Sequence, residues 1–453
     1  MNSSTGGTFA ALFVWSAWLL GVAVGQELDQ VLPPTMKVLI EQAEEDFFDG
    51  DLESAERRVD EAYDWVRANK NQIARTGGDH TLLEAMLAGL YAEIFHASGD
   101  TAKADAKLKH AEKLLEIRKT VFIRNRLFPP FLWQFDAFIK CTRGDVNRPT
   151  PDFGLAENAE LSEPARQFLL DRGDASPAIR AYKAAETAMT DPVTKAVQDR
   201  TSLNRLEGRV LTNLAWVCIL KRGPPTRNDL DDAETFLDRA NDAFKKNEFW
   251  NVFIEGGNFG QVPRAFKDIK RAGLKGDDAR NLKRLFSQTI RDWQAMHLLK
   301  AEMTAFRERS IDEEAVNTAE QDYDRIVGFL KTQYGDDHPR LQAVRLSRAR
   351  WFLAASRSAK EKPELRQSLL KDCVGDLDKL KGLGPSDMLQ KQVIELSARM
   401  EMLETPEKDG GPAGEERIAC DRRVSKLREE VEAEIARRTK KRLEARPLNV
   451  DEK

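Results

Sequence analysis

The stretch from Ala85 to Lys119 limits what the chain can fold into more than any other part of the sequence. Apolar residues recur at helical spacing on both sides of the turn Ser98-Gly99-Asp100: they are Leu87, Leu90, Tyr91, Ile94 and Phe95 before it, and Leu108, Ala111, Leu114 and Leu115 after it. This spacing predicts two amphipathic helices joined by a tight turn. Because one hairpin cannot bury both apolar faces alone, the pattern predicts a stack of hairpins that cover one another.

The second helix of this hairpin carries a small-large-small seam, formed by Ala104, Leu108 and Ala111 at positions i, i+4 and i+7 of one face. Small residues let the first helix approach, and the large residue fills the space between the helices. Similar seams recur at Ala55, Val59, Ala62; at Ala178, Tyr182, Ala185; at Ala233, Leu237, Ala240; and at Ala265, Ile269, Ala272; a weaker copy follows at Ala319, Tyr323, Ile326. Their uneven spacing indicates degenerate repeats with insertions, one of which we interpret as a loop at 146–158.

The same residues resemble a known repeat family. At Tyr91-Ala92, Phe95, Gly99, Ala104, Leu108 and Ala111 the hairpin resembles a tetratricopeptide repeat. The run from Tyr334 to Pro339 resembles the linker of the kinesin-light-chain type of that repeat, and we expect Asp337 to cap the next helix and Pro339 to lie in its first turn. The resemblance implies an all-α fold, an α-solenoid in which the hairpins form a right-handed superhelix.

Composition changes along the chain suggest its division into parts. Pro and Gly interrupt the helical pattern in TPEKDGGPAG, which predicts a linker before a charged C-terminal helix. That helix has apolar residues at Val424, Leu427 and Val431, and its basic cluster is interpreted as a solvated face. We expect a signal peptide at 1–25, N-terminal hairpins at 26–119, an irregular solenoid at 120–404, the linker at 405–414 and the charged helix at 415–453.

Overall composition is that of a folded soluble chain. Of 453 residues, 41% are hydrophobic and 32% are charged, which excludes a disordered chain. The net charge is only -4, so no general electrostatic field favours nucleic acid or an anionic membrane surface as a partner.

The N-terminus resembles an export signal. The residues from Phe9 to Val24 are apolar apart from Ser16, and small residues precede Gln26. We therefore expect cleavage after Gly25, export to the periplasm or outside the cell, and no membrane span in the mature chain. No Lys or Arg precedes the apolar run, so an uncleaved anchor is the alternative.

Residue patterns for chemistry are sparse. Cys141, Cys218, Cys373 and Cys420 show no pairing pattern and are interpreted as small core residues. The sequence has no zinc-type spacing of Cys and His, no GxSxG, no HExxH and no P-loop, so we expect no metal, no cofactor and no catalytic residue of these kinds. A triad assembled from distant segments stays open, because triads are defined by geometry.

These observations favour a non-catalytic scaffold that binds a protein or peptide partner. The alternative is an envelope enzyme, or an accessory of one, with its site within residues 120–300. A cluster of titratable side chains in a pocket there would favour the enzyme, and a continuous concave groove would favour the scaffold.

The resemblance also implies where a ligand would bind. First helices form the inner wall of a tetratricopeptide stack, so residues between their packing positions are expected to be exposed there. This gives the candidate groove residues Glu93, His96, Arg209, Asn213, Trp216 and Arg350. Arg209 and Asn213 resemble part of the carboxylate clamp of chaperone-binding members, without the matching Lys and Asn on the neighbouring helices.

Overall fold

The structure, a computed structural model, describes residues 34–75, 79–124, 130–148, 161–172, 174–190, 201–220, 225–246, 250, 277–307, 312–383, 385–406 and 411–444. Within these residues it has sixteen helices and no strand, which confirms the all-α prediction. The helices are α1 (Pro34–Asp49), α2 (Leu52–Ala68), α3 (Lys70–Arg75), α4 (His80–Ala97), α5 (Thr101–Arg124), α6 (Pro130–Val146), α7 (Glu163–Arg172), α8 (Ser176–Thr190), α9 (Thr201–Ile219), α10 (Arg227–Lys245), α11 (Asp277–Arg307), α12 (Glu313–Tyr334), α13 (Pro339–Ser358), α14 (Pro363–Asp378), α15 (Pro385–Glu404) and α16 (Gly414–Glu444). The apolar N-terminal run and the seam at 265–272 lie outside the described residues.

Most helices pack in pairs. The pairs are α1 with α2, α4 with α5, α6 with α8, α9 with α10, α13 with α14 and α15 with α16, and each of the first four also contacts the next pair or helix along the chain. The third pair skips α7. Of the loop predicted at 146–158, Val146 belongs to α6 and residues 149–158 lie outside the described residues. The helix α7, Glu163–Arg172, follows that segment and is not predicted by the repeat pattern.

Two turns of the same geometry form the first two hairpins. Gly50 and Gly99 both have positive φ angles, 84° and 80°, which glycine adopts without steric cost. The next residue closes each turn: the Asp51 amide donates to the Asp46 carbonyl at 2.9 Å, and the Asp100 amide donates to the Phe95 carbonyl at 2.8 Å. The same two aspartates then accept backbone amides as N-caps of α2 and α5.

The repeated seams are buried. The large and small residues of the five seams within the described residues are all at most 2% exposed: Ala55, Val59, Ala62, Ala104, Leu108, Ala111, Ala178, Tyr182, Ala185, Ala233, Leu237, Ala240, Ala319, Tyr323 and Ile326. Seam burial was therefore predicted correctly from residue size and spacing. The main core is assembled from these residues and from the helices that face them.

Glycines on two first helices let an aromatic ring of the second helix approach closely. A Cβ atom at Gly144 would lie 2.6 Å from Cζ of Tyr182, and one at Gly208 would lie 2.6 Å from Cζ of Phe244. Phe244 in turn stacks on Trp250 with ring centroids 4.4 Å apart. Any larger residue at these glycines would force α6 from α8, or α9 from α10.

The first hairpin also contacts helices far along the chain. α1 packs against α11, and the buried Phe48 ring has Arg291 and Arg340 guanidiniums at 5.5 Å and 5.3 Å from its centroid. A Cβ atom at Gly50 would lie 2.9 Å from Cδ of Pro339, at the start of α13. A solenoid in which each unit packs only on its sequence neighbours does not account for this contact.

The cap of α13 differs from the prediction. The N-cap is His338, whose Nδ1 accepts the Arg340 amide at 3.2 Å, and not Asp337. Pro339 occupies the first helical position as expected, which makes the residue directly before it the cap. The Asp337 side chain is 82% exposed, outside the helix.

The C-terminal helix is more embedded than a charged, solvated helix would be. Its apolar stripe forms a separate small core with α7 and α15, in which Val424, Leu427, Val431 and Ile435 are at most 5% exposed. Ile435, one residue after the charged Glu434, continues the stripe. Within the described residues no helix is both long enough and apolar enough to cross a membrane.

Candidate functional site

Four of the six sequence-predicted groove residues lie in one polar cluster. Glu93 and His96 come from α4, and Arg209 and Asn213 come from α9. Their contacts and charges converge on Asp145, near the end of α6. Arg148, two residues beyond α6, and Tyr182 of α8 complete the set, which we call the Asp145 cluster.

Asp145 accepts hydrogen bonds from four side chains. Tyr182 Oη donates to Oδ1 at 2.6 Å, Asn213 Nδ2 to Oδ1 at 2.8 Å, Arg148 Nη2 to Oδ1 at 3.0 Å and Arg209 Nη2 to Oδ2 at 2.6 Å. Arg148 Nη2 also donates to Asn213 Oδ1 at 3.1 Å. The carboxylate, itself 5% exposed, therefore links the end of α6 to the middle of α8 and of α9.

Arg209 bridges two buried carboxylates. Its Nη2 lies 2.6 Å from Asp145 Oδ2 and 2.7 Å from Glu93 Oε1, so one guanidinium links α9 to both α4 and α6. Glu93 is 9% exposed. Removing Arg209 would leave Glu93 without its cation and Asp145 with Arg148 alone. Breaking one partner of a buried ion pair typically costs about 3 to 5 kcal/mol.

The cluster fixes the protonation of its members. Burial alone would raise the pKa of Asp145, but the charges of Arg209 and Arg148 and the Tyr182 hydrogen bond outweigh it and hold that pKa well below its usual range. Burial and the Asp145 carboxylate raise the pKa of Tyr182 well above its usual range. Near neutral pH the aspartate is thus ionised and the tyrosine is protonated.

His96 lies at the edge of this cluster. Burial, with a further contribution from Arg148, lowers its pKa to about 4 although Asp145 acts in the opposite direction. The ring is therefore neutral near pH 7. Within the described part of the chain, His96 Nδ1 and Arg148 Nε have no hydrogen-bond partner. Both atoms are shielded from solvent, so they are buried polar atoms that lack a partner within the described residues and not sites open to a ligand.

The other two predicted residues pair with each other. Arg350 of α13 lies over the Trp216 ring of α9 at 5.4 Å from the ring centroid. Arg350 Nη2 also donates to Glu302 Oε1 at 2.5 Å, and Ser347 Oγ donates to the same oxygen at 2.5 Å. Trp216 is thus covered by a guanidinium that a buried carboxylate holds in place.

The expected exposure of the groove residues is wrong for three of them. Glu93, Asn213 and Trp216 are 9%, 5% and 5% exposed, because α9 packs against α6 and its arginine reaches α4. Replacing Arg209 and Trp216 together would therefore remove contacts between helices and would not report on ligand binding alone. His96, Arg209 and Arg350 keep partial exposure.

Sequence reasoning missed Asp145, Arg148 and Tyr182 as members of this site. Tyr182 was assigned only as the large residue of a seam, yet a buried tyrosine hydroxyl requires a hydrogen-bond partner. The other signal in the sequence was the Gly144-Asp145 pair, which lies near the end of α6. Because Gly144 lets the Tyr182 ring approach α6, the tyrosine hydroxyl meets the carboxylate of the next residue, Asp145.

The Asp145 cluster contains side-chain types that enzymes use as acids and bases, but the pKa values of these side chains do not suit that role. General acid-base catalysis needs groups that change protonation near the working pH. Asp145, Tyr182 and His96 are all shifted away from neutral pH, and the Asp145 oxygens are occupied by donors. Among the described residues no group of three or more His, Cys, Asp and Glu could hold a metal ion.

All four cysteines lie in described helices, and no disulfide joins them. Cys141, Cys373 and Cys420 are buried as predicted, whereas Cys218 is only partly buried. Burial raises the pKa of the Cys141 thiol to about 12 and that of Cys373 well above its usual range. Such thiols stay protonated and behave as small apolar residues.

Comparison with known proteins finds no matching family model, no matching curated protein and no matching solved structure. The resemblance to tetratricopeptide repeats therefore remains a prediction from the sequence pattern.

Proposed function

We propose that the chain is a non-catalytic scaffold that binds a protein or peptide partner through tetratricopeptide-like hairpins. The observation that carries the proposal is the recurrence of one buried small-large-small seam in four helices, with a weaker copy in α12 that ends in the larger Ile326. Hairpins built on a common seam stack in a repeated manner, and stacked hairpins provide extended surfaces for partners. The right-handed superhelix implied by the family resemblance is part of this proposal.

We place the binding surface at the rim of the Asp145 cluster. His96 and Arg148 are partly exposed, although His96 Nδ1 and Arg148 Nε are themselves shielded from solvent. The exposed part of a guanidinium can donate to peptide carbonyls, and the exposed part of an imidazole can pack against a peptide. The paired members, Glu93, Arg209 and Asn213, would hold this rim in position rather than contact the ligand.

We further propose that the scaffold is exported. The support is the apolar run from Phe9 to Val24, followed by small residues, in the sequence. Under this proposal the partner is met in the cell envelope or outside the cell.

Selection from a displayed library of random peptides tests the binding function. We expect enrichment of peptides that bind the folded chain. Replacing His96 with Ala should weaken the binding of a selected peptide at least tenfold, which corresponds to about 1.4 kcal/mol, because the imidazole ring at the rim is lost.

The matched control is His110→Ala on the exposed face of α5, which should leave both the affinity and the melting temperature unchanged. No enriched peptide would refute the scaffold function itself. Equal affinities of the two variants for a selected peptide would refute only the placement of the surface at the rim.

A further inference from the structure

The buried apolar residues of the described chain form separate cores, and two of these cores meet at α6. One core is built by α1 to α5 together with Leu132, Ile139 and Val146 of α6. The other begins with Ala137 and Cys141 of the same helix and continues through α8 to α14. We call the helices α1 to α5 the N-terminal lobe and the helices α6 and α8 to α14 the central lobe.

The N-terminal lobe contacts the central lobe on two sides. On one side α4 and α5 pack on α6, and Glu93 of α4 pairs with Arg209 of α9 at 2.7 Å. On the other side α1 packs on α11, and Gly50 lies against Pro339 at the start of α13. Following the contacts from α1 through α2, α4, α6, α9 and α11 leads back to α1. The helices therefore form a closed ring.

Phe48 lies where α1 closes this ring. Its side chain is 5% exposed, yet it belongs to neither of the two cores of the described residues. The ring meets Phe47 edge-on, with centroids 5.6 Å apart. The guanidiniums of Arg291 from α11 and Arg340 from α13 lie 5.5 Å and 5.3 Å from its centroid. We call Phe48, Arg291 and Arg340 the Phe48 junction, in which cations of the central lobe cover an aromatic ring of the N-terminal lobe.

Both arginines of the Phe48 junction are held by contacts within the central lobe. Arg340 Nη1 donates to Tyr334 Oη at 3.3 Å. Arg291 Nε lies 3.7 Å from Asp292 Oδ1, and Asp292 Oδ2 accepts a hydrogen bond from Arg205 Nε at 2.9 Å. These contacts do not involve α1, so the central lobe positions the two guanidiniums without the help of the Phe48 ring.

The contacts of the Phe48 junction differ in kind from those inside the lobes. Each lobe has a core of its own, which is complete without the other core. Separating α1 from α11 and α13 would expose one aromatic ring and two guanidiniums, and water solvates these cations. Parts of a protein that share few buried apolar contacts separate at a lower free energy than that of global unfolding.

We propose that the Phe48 junction closes the ring of helices reversibly. In the open form the N-terminal lobe moves as a unit about the packing of α4 and α5 on α6, which is a hinge motion, and both cores stay folded. The protein then has two shapes, a closed ring and an open arc, and Phe48 sets the balance between them. This inference goes beyond the proposed binding function, because it concerns the shape of the chain without a partner.

Distances between two spin labels on the full chain test the proposal. Labels at Glu53→Cys on α2 and Asp337→Cys before α13 lie on opposite sides of the Phe48 junction, and both positions are exposed. Cys218→Ala removes the partly buried thiol, and the three other cysteines are buried. We expect one short distance in this labelled chain. Adding Phe48→Ala should shift most molecules to a longer distance and leave the helix content unchanged.

The matched control is Phe47→Ala, which removes the neighbouring ring of α1 from the N-terminal core. It should keep the short distance. The double variant Arg291→Gln, Arg340→Gln removes both cations, keeps Phe48 and should open the ring as Phe48→Ala does.

Only the short distance in folded Phe48→Ala and arginine variants would overturn the proposal. The same long distance in the Phe47→Ala control would also overturn it, because α1 would then detach for a reason unrelated to the Phe48 junction. Loss of folding in both the Phe48→Ala and the arginine variants would show that the lobes do not fold independently of this contact, and would overturn it as well.

Discussion

Single glycines decide how closely some helices approach each other and which polar groups then meet. At Gly144 the missing side chain lets the Tyr182 ring lie against α6, which brings the tyrosine hydroxyl to 2.6 Å from Asp145 Oδ1. Gly375 of α14 is different, because no atom lies within 4 Å of the place where its Cβ would be. Gly144 is therefore needed because a side chain there would overlap Tyr182, whereas Gly375 has no such contact and only lowers the stability of α14.

Replacing Gly144 with Ala should lower the free energy of unfolding by about 2 to 4 kcal/mol, since the new methyl group overlaps the Tyr182 ring and displaces its hydroxyl from Asp145. The matched replacement Gly375→Ala should raise it by roughly 0.5 to 1 kcal/mol. Urea unfolding of the two variants measures both changes. A Gly144→Ala variant as stable as the unchanged chain would show that α6 and α8 are not in this close contact.

At the scale of helices, the seams set which face of each second helix is buried. On α5, Ala104 and Ala111 are fully buried with Leu108, whereas Ala106 lies on the exposed face of the same helix. Residue size is thus restricted on one face and free on the other. The first two hairpins share this arrangement and the same turn, in which Asp51 and Asp100 play equivalent parts.

The variant Ala104→Leu should be less stable than the unchanged chain by about 1 to 3 kcal/mol, because three extra carbon atoms do not fit between α4 and α5. The same substitution at Ala106 should change stability by less than about 0.5 kcal/mol. Thermal unfolding followed by circular dichroism compares the two. Equal melting temperatures would mean that the seam of α5 does not face α4.

At the scale of the whole molecule, contacts between distant parts of the sequence fix the arrangement of the hairpins. α1 meets α11 and the start of α13, and α7 meets α16. His338 lies where the end of α1 meets the start of α13, and it is 9% exposed. Its Nδ1 accepts the Arg340 amide as the N-cap of α13. Burial, with a further contribution from Arg340, lowers its pKa to about 4.

This shift makes stability depend on pH. Between about pH 6.5 and pH 4 the unfolded chain binds a proton at His338 that the folded chain does not, so the stabilising contribution is complete above pH 6.5 and is lost as the pH falls. His338→Asn keeps an acceptor for the cap without the titration. We therefore expect the loss of stability between pH 7 and pH 4.5 to be smaller in this variant by roughly 1 to 3 kcal/mol.

Denaturant unfolding at the two pH values checks this prediction, with His110→Asn on the exposed face of α5 as the control. Stopping at pH 4.5 stays above the unfolded pKa of aspartate, so the loss of the Asp145 contribution does not enter. The same pH dependence in all three proteins would contradict the burial of His338 at this junction.

Local features of the sequence determined the helices, the two tight turns and the seams. Helical spacing of apolar residues and the Gly-Asp turns at Gly50 and Gly99 are set by interactions within a few residues, so they can be predicted without knowledge of the fold. The same holds for the interruption between α15 and α16, where Pro and Gly end the helical pattern. The five candidate residues of α4 and α9 were chosen from helix position together with the family resemblance.

Only the tertiary structure decided what those residues contact. Glu93 and Arg209 are 116 positions apart, and nothing local indicates that the arginine of α9 bridges Glu93 and Asp145. The docking of α7 onto α16 and of α1 onto α11 is equally non-local. Apolar periodicity specifies that a helix face must be covered, but any face of suitable shape satisfies it, so the choice of partner depends on the packing of the entire chain.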